Sequence, residues 1–208
     1  MAADKKTSPT NGLRTFALHA YDQSSSSVVE ELEQQTAQSF SAGATPVTPE
    51  TAARAYLANA VAHESGRTAF EPISTEPVPL TGTVAVKFRQ RFNDVPVYGS
   101  LVTVELDENN RLVAINGSLG EPSEVSPVPA KSPAQAIEAI QHHGGSKKDL
   151  AGVAPDLEYY FDPRSASWRL VYIVKNVKRD KAPHIVDYVV DAHTGEVVAE
   201  LPRHSPQS

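Results

Sequence analysis

The chain has 208 residues, with 19 Lys and Arg against 25 Asp and Glu, a formal charge of -6 and 40% apolar residues, which suits one large or two small soluble domains. The acidic balance excludes the basic face that phosphate contacts need, so no nucleic-acid partner is expected, and no apolar run approaches the roughly 18 residues of a membrane span. The absence of Cys excludes disulfides, thiolate metal sites and a Cys nucleophile.

Residues 1–12 are polar and are expected to be a disordered start with no apolar signal stretch. The alternation around Phe16 and Leu18 predicts a short strand over 13–21, and residues 28–40 predict a weakly apolar helix. A clearer helix follows: Thr48 is a candidate N-cap, Pro49 takes the first helical position, and Ala53, Tyr56, Leu57, Ala60 and Val61 form an apolar stripe. Residues 71–80 hold three prolines and cannot form a central element. From Thr83 the period changes to two. Val84, Val86, Phe88, Gln90 and Phe92 share one face, and Lys87, Arg89 and Arg91 share the other. A turn at 93–96, a strand over 97–106, a turn at 107–110 and a strand over 111–118 complete a three-stranded antiparallel meander. The stripe of the preceding helix needs such a face to bury.

Residues 121–133 carry four prolines without apolar periodicity and read as a linker. Then the order repeats. Ser132, Pro133 and Gln135 fit a capping box, Ala136, Ile137 and Ile140 give the stripe, and Gly144 and Gly145 stop the helix. Strands are expected over 157–161, 168–175, 184–191 and 196–201. The charges at Lys175, Lys178, Arg179 and Lys181 read as a solvated hairpin tip. The fold class is α+β: two small domains, each a helix packed on an antiparallel β meander. The expected domains are 13–120 and 132–201, joined by a Pro-rich linker at 121–131 and followed by an extended tail at 202–208.

Few residues are spaced for catalytic chemistry. No Gly-rich phosphate loop and no nucleophile elbow occur. His63-Glu64 begins an H-E-x-x-H string, but Arg67 stands where the second His would ligate zinc. His142 and His143 are neighbours on a helix, about 100° apart, and do not converge on one ion. His184 and His193 read as surface residues, and Glu30-Glu31 and Asp107-Glu108 as solvated pairs. No catalytic, cofactor-binding or metal-binding residue is assigned, no cofactor is expected, and an enzyme is not the expected class.

The segment 86–117 resembles the fungalysin/thermolysin propeptide motif. In that motif a strand with F-x-Q runs to a turn and P-V-x-G, then a second strand, a polar turn and a strand ending in N-G. Phe88, Gln90, Pro96, Val97, Gly99, Asn116 and Gly117 hold those places. Asp94 stands where the pattern usually carries Gly. The second half is similar to a PepSY domain: an aromatic-led strand from Trp168, then a hairpin carrying Tyr188, Asp191 and Gly195 in a Y-x-V-D-x-x-T-G-E-V pattern. In that order the two resemble the amino-terminal propeptide of thermolysin-like secreted zinc metalloproteases.

The resemblance implies a propeptide that inhibits such a protease and assists its folding, with the catalytic domain as partner and a secreted or periplasmic location. Because the chain stops at Ser208, it is expected to be an excised propeptide or a free-standing inhibitor. The alternative is a cell-envelope interaction module on the same fold. Leu201, Pro202, Arg203, His204 and Ser205 are the candidate cleft-filling tail, since its prolines hold it extended and lower the ordering cost. Removal of 202–208 is therefore expected to weaken inhibition while sparing the melting temperature.

Overall fold

The computed structural model describes residues 12–40, 48–61, 66–179 and 184–203. The expected disordered start lies, except for its last residue, outside them. The chain divides into two compact units, Met1–Glu121 and Pro122–Ser208.

The first unit opens with strand β1 (Arg14–His19) and helices α1 (Ser26–Phe40) and α2 (Pro49–Ala60). The α2 N-terminus is made by Thr48, whose side chain accepts from the Thr51 N–H with Pro49 in the first turn. Strands β2 (Thr68–Val78), β3 (Thr83–Phe92), β4 (Val95–Pro96), β5 (Leu101–Leu106) and β6 (Leu112–Leu119) follow. They form one antiparallel sheet in the order β1-β6-β5-β3-β2, with β4 paired to β3. The expected meander is the middle of this sheet. Its core face carries Val86, Phe88, Val102, Val104 and Ile115, packed against Ala53, Tyr56 and Leu57 of α2 and Val29 and Leu32 of α1. Arg54 of α2 places its guanidinium 5.7 Å from the Phe88 ring centroid.

One expectation changes here, and another takes a definite form. The strand expected over 97–106 begins at Leu101, because the chain turns through Val97 and Ser100, with the Ser100 N–H donating to the Val97 carbonyl at 3.2 Å. Residues 71–80, read as non-central, lie largely within β2, which is an edge strand pairing only β3. Prolines are tolerated at an edge where the amide position faces away from the partner. Arg54 donates to the Phe70 carbonyl at 2.9 Å, so Phe70 faces away from β3. By alternation so does Pro72, and beyond the bulge between Pro72 and Ser74 so does Pro77.

The second unit carries α3 (Pro133–His142), α4 (Lys147–Leu150) and strands β7 (Asp156–Asp162), β8 (Ser167–Lys178), β9 (Ile185–Asp191) and β10 (Val197–Pro202). The sheet order is β10-β9-β8-β7. Ser132 and Gln135 form the capping box of α3, and Ala136 and Ile140 are fully buried. The segment read as a linker is held along this unit. The Ala130 and Lys131 N–H groups both donate to the Ala192 carbonyl, and the Tyr172 and Tyr159 hydroxyls donate to the carbonyls of Lys131 and Val125.

The basic run is exposed at Lys175, Lys178 and Arg179, as a solvated hairpin end requires, but the strand reaches further into it than expected. Strand β8 continues to Lys178 through a bulge, Asn176 adopts φ 62°, and its N–H donates to Asp187 at 2.8 Å. Lys175 pairs with Asp156 at 2.8 Å and Arg179 with Glu200 at 3.4 Å. Lys181 lies outside the described residues.

Candidate functional site

The motif residues of the first unit assemble around one buried amide. Gln90 is 0% exposed. Its Nε2 donates to the Gly120 carbonyl and its Oε1 accepts from the Gly120 N–H, both at 2.8 Å. Its backbone N–H donates to Ser100 Oγ at 3.1 Å, and Ser100 Oγ donates in turn to the Val97 carbonyl at 2.8 Å. The Val97 N–H donates to the Gln90 carbonyl at 3.0 Å. Gln90 thus ties the exit of β6 and the turn before β5 to β3, while Phe88, two residues earlier, fills the core.

The remaining positions have local reasons. Asn93 and Asp94 both take positive φ, 47° and 61°, between Phe92 and Val95, which pair directly. This is the two-residue hairpin geometry that favours Asn, Asp and Gly, and it explains both the Gly of the usual pattern and the tolerance of Asp94. Pro96 pairs with Arg91. Gly99 sits at φ 76°. At Gly117 an added Cβ would stand 2.7 Å from Phe16 Cε1 and 2.9 Å from Val102 Cγ2, so glycine lets the Phe16 ring lie over β6. Asn116 is exposed, paired in register with Ala17 and Thr103.

In the second unit a half-buried guanidinium bridge joins two turns. Asp162 accepts the Arg164 N–H and Ser165 Oγ after β7. Asp191 accepts the His193 and Thr194 N–H groups after β9. Arg169 donates Nε to Asp162 at 3.1 Å and Nη1 to Asp191 at 2.9 Å. Burial pushes the Asp191 carboxyl up, but the Thr194 and His193 amides and Arg169 outweigh it and hold the group below its ordinary value. At Asp162 burial likewise pushes up, and the Arg164 amide, Ser165 and Arg169 pull it below. Sequence reasoning missed Asp162 and Arg169; the spacing of Asp162 to the turn amides was the available local signal. Gly195 closes the second turn at φ 81°. Trp168 meets Phe161 edge to face at 5.5 Å, and Tyr188, fully buried, meets His143 at 6.3 Å. A crevice of about 330 Å³ opens between Trp168, Arg169, Asp191, His193, Glu124 and Ser126.

The candidate tail begins inside the sheet. Leu201 and Pro202 pair with Asp187 and Val186. The Arg203 N–H donates to the Ile185 carbonyl, and Arg203 Nε reaches Asp187 at 2.8 Å. Truncation from residue 202 would therefore break the edge of the second sheet, contrary to the expectation that it spares stability. His204 and Ser205 lie outside the described residues, as do His63 and Glu64. Three of the other histidines have separate partners: His142 approaches Glu138, His143 approaches Glu200, and His193 Nε2 meets the Val128 carbonyl, while His184 is exposed. Among the described residues, no group of three or more His, Asp or Glu side chains is placed to hold a metal ion. No helix among them is long and apolar enough to cross a membrane.

Residues 68–119 match the family model of the Fungalysin/Thermolysin Propeptide Motif. Every first-unit position assigned from sequence falls within that match. The chain is also 28% identical over 138 residues, 62% of its length, to a hemagglutinin/proteinase of Vibrio cholerae serotype O1, and spans only 22% of that protein. Among solved structures, the Bacillus megaterium YpeB C-terminal domain aligns with 78% of this chain and 68% of its own, at 11% identity and a TM-score of 0.36.

Proposed function

We propose that the chain acts as a propeptide of a thermolysin-like zinc metalloprotease, inhibiting the catalytic domain and assisting its folding, in a secreted or periplasmic setting. The observation that carries this reading is the propeptide motif over residues 68–119. The similarity of the Trp168 and Asp191 segments to a PepSY domain, in the usual order after that motif, adds support. The two units supply preformed surfaces, so most binding energy comes from groups already ordered. The chain beyond Arg203 enters the cleft, and its effect depends on covalent attachment to the folded second unit.

The test uses the proteinase domain of the Vibrio cholerae relative. The intact chain should inhibit it at or below about micromolar concentration (roughly 8 kcal/mol of binding) and raise its yield on refolding from denaturant. Inhibition only far above that level, with no gain in refolding, would remove this reading. Removing residues 204–208, beyond the Arg203 anchor, should weaken inhibition and leave the melting temperature unchanged. Equal inhibition by the shortened chain would move the block from the tail to the unit surfaces.

A further inference from the structure

We propose that the tip of the β2–β3 hairpin is a docking anchor, with Leu80 inserting into an apolar recess on the protease domain that the chain binds. The inference rests on the propeptide reading and names the part of the first unit that makes the contact. Leu80 is 99% exposed. A lone leucine on a loose loop would mean little, but this one stands on a tied turn. The Thr81 and Gly82 N–H groups both donate to the Val78 carbonyl, at 3.2 and 3.0 Å, and Gly82 takes φ 71°. The Thr81 and Thr83 hydroxyls bond at 2.6 Å, and Thr83 bonds onward to the Glu105 carboxylate. Pro79 precedes the leucine and limits its backbone further.

An apolar side chain presented on an ordered turn meets little entropic penalty on docking. Anchors of this type, seated in a dry recess, dominate interface energetics. The ridge leading to the tip has the same character. Ile73, at the β2 bulge, is 51% exposed, and Pro72 and Pro77 are exposed on the same strand. At about 3.3 Å per residue the ridge from Ile73 to Leu80 runs roughly 20 Å.

Backbone pairing is not how this edge recognises a partner. Pro72 and Pro77 remove donors from outward-facing positions, and the Phe70 carbonyl already accepts from Arg54. The nearby Glu76 is neutralised by Lys87 at 2.7 Å. Such a ridge fits an apolar recess better than a charged surface or an open strand.

The test measures binding of the full chain to the Vibrio cholerae proteinase domain, with thermal unfolding alongside. Leu80→Asp should weaken binding at least about tenfold, the scale of losing one buried leucine, with no change in melting temperature. Leu80→Met, which keeps the apolar volume, should stay within about threefold. If the intact chain binds and L80D binds within about threefold of it, the anchor is overturned while the propeptide reading stands. If the intact chain does not bind, both fall together.

Discussion

Replacing Gln90 by Leu tests whether the amide clip holds the first unit together. Leucine has similar bulk, so the change removes hydrogen bonds without opening a large cavity. The side chain is 0% exposed and makes two 2.8 Å bonds, one to each backbone group of Gly120. Gly120 is itself buried. Its N–H and carbonyl would then be stranded, at about 1–3 kcal/mol each, partly offset by the easier burial of leucine. The net expectation is a loss of about 2–4 kcal/mol, read as a lower urea midpoint by far-ultraviolet circular dichroism at unchanged slope.

Gln90→Glu sharpens the same test. A glutamate keeps the acceptor for the Gly120 N–H but, ionised, faces the Gly120 carbonyl with no donor. Burial would raise its folded pKa above the unfolded value of about 4.3, so the protonated acid, which can donate, is favoured. The variant should therefore be more stable near pH 4 than at pH 8, losing stability as pH rises through that window. A Leu variant within about 0.5 kcal/mol of the parent, together with a pH-independent Glu variant, would refute a structural role for the clip.

Acid should unfold the second unit selectively through Asp162 and Asp191. Both lie below their ordinary value of 3.8 when folded, so their contribution is full above that pH and is lost as pH falls through the folded values; Trp168, the single Trp, reports this by fluorescence. Arg169→Ala should cost about 2–3 kcal/mol and blunt that acid dependence, less than a fully buried pair because Arg169 is 28% exposed; an unchanged acid midpoint would count against the bridge. Leu57→Asp, at a side chain 1% exposed in the helix–sheet core, should abolish cooperative unfolding of the first unit, and an unaltered melting curve would contradict that packing. Gly117→Ala should lower stability by about 1–2 kcal/mol, because its Cβ must displace Phe16 or Val102; Phe16→Ala in the same chain should recover part of that loss.

Local signals in the sequence matched local features of the fold. The two-residue period from Val84 to Phe92 marks β3, and a Thr or Ser before Pro marks the starts of α2 and α3. What escaped depends on partners far along the chain. Gln90 meets Gly120 thirty residues later, and Arg169 meets Asp191 twenty-two residues later; no short-range pattern encodes either pairing. The end of β8 escaped for a related reason. Lys175 looks like the start of a soluble loop until Asp156 and Glu158 of β7 come alongside.

The prolines of β2 carry a further lesson about edges. Pro72 and Pro77 make the segment resemble a connection, yet both fall where the strand turns its amide positions away from β3. A strand can keep its inward ladder and lose outward donors only if prolines obey that alternation. The bulge between Pro72 and Ser74 reconciles the odd spacing of the two with a single outward side. The result is an edge that joins its own sheet and resists a second copy, while the bulge and the turn beyond it still expose Ile73 and Leu80. Suppressing backbone pairing makes side-chain fit the selective term at this edge.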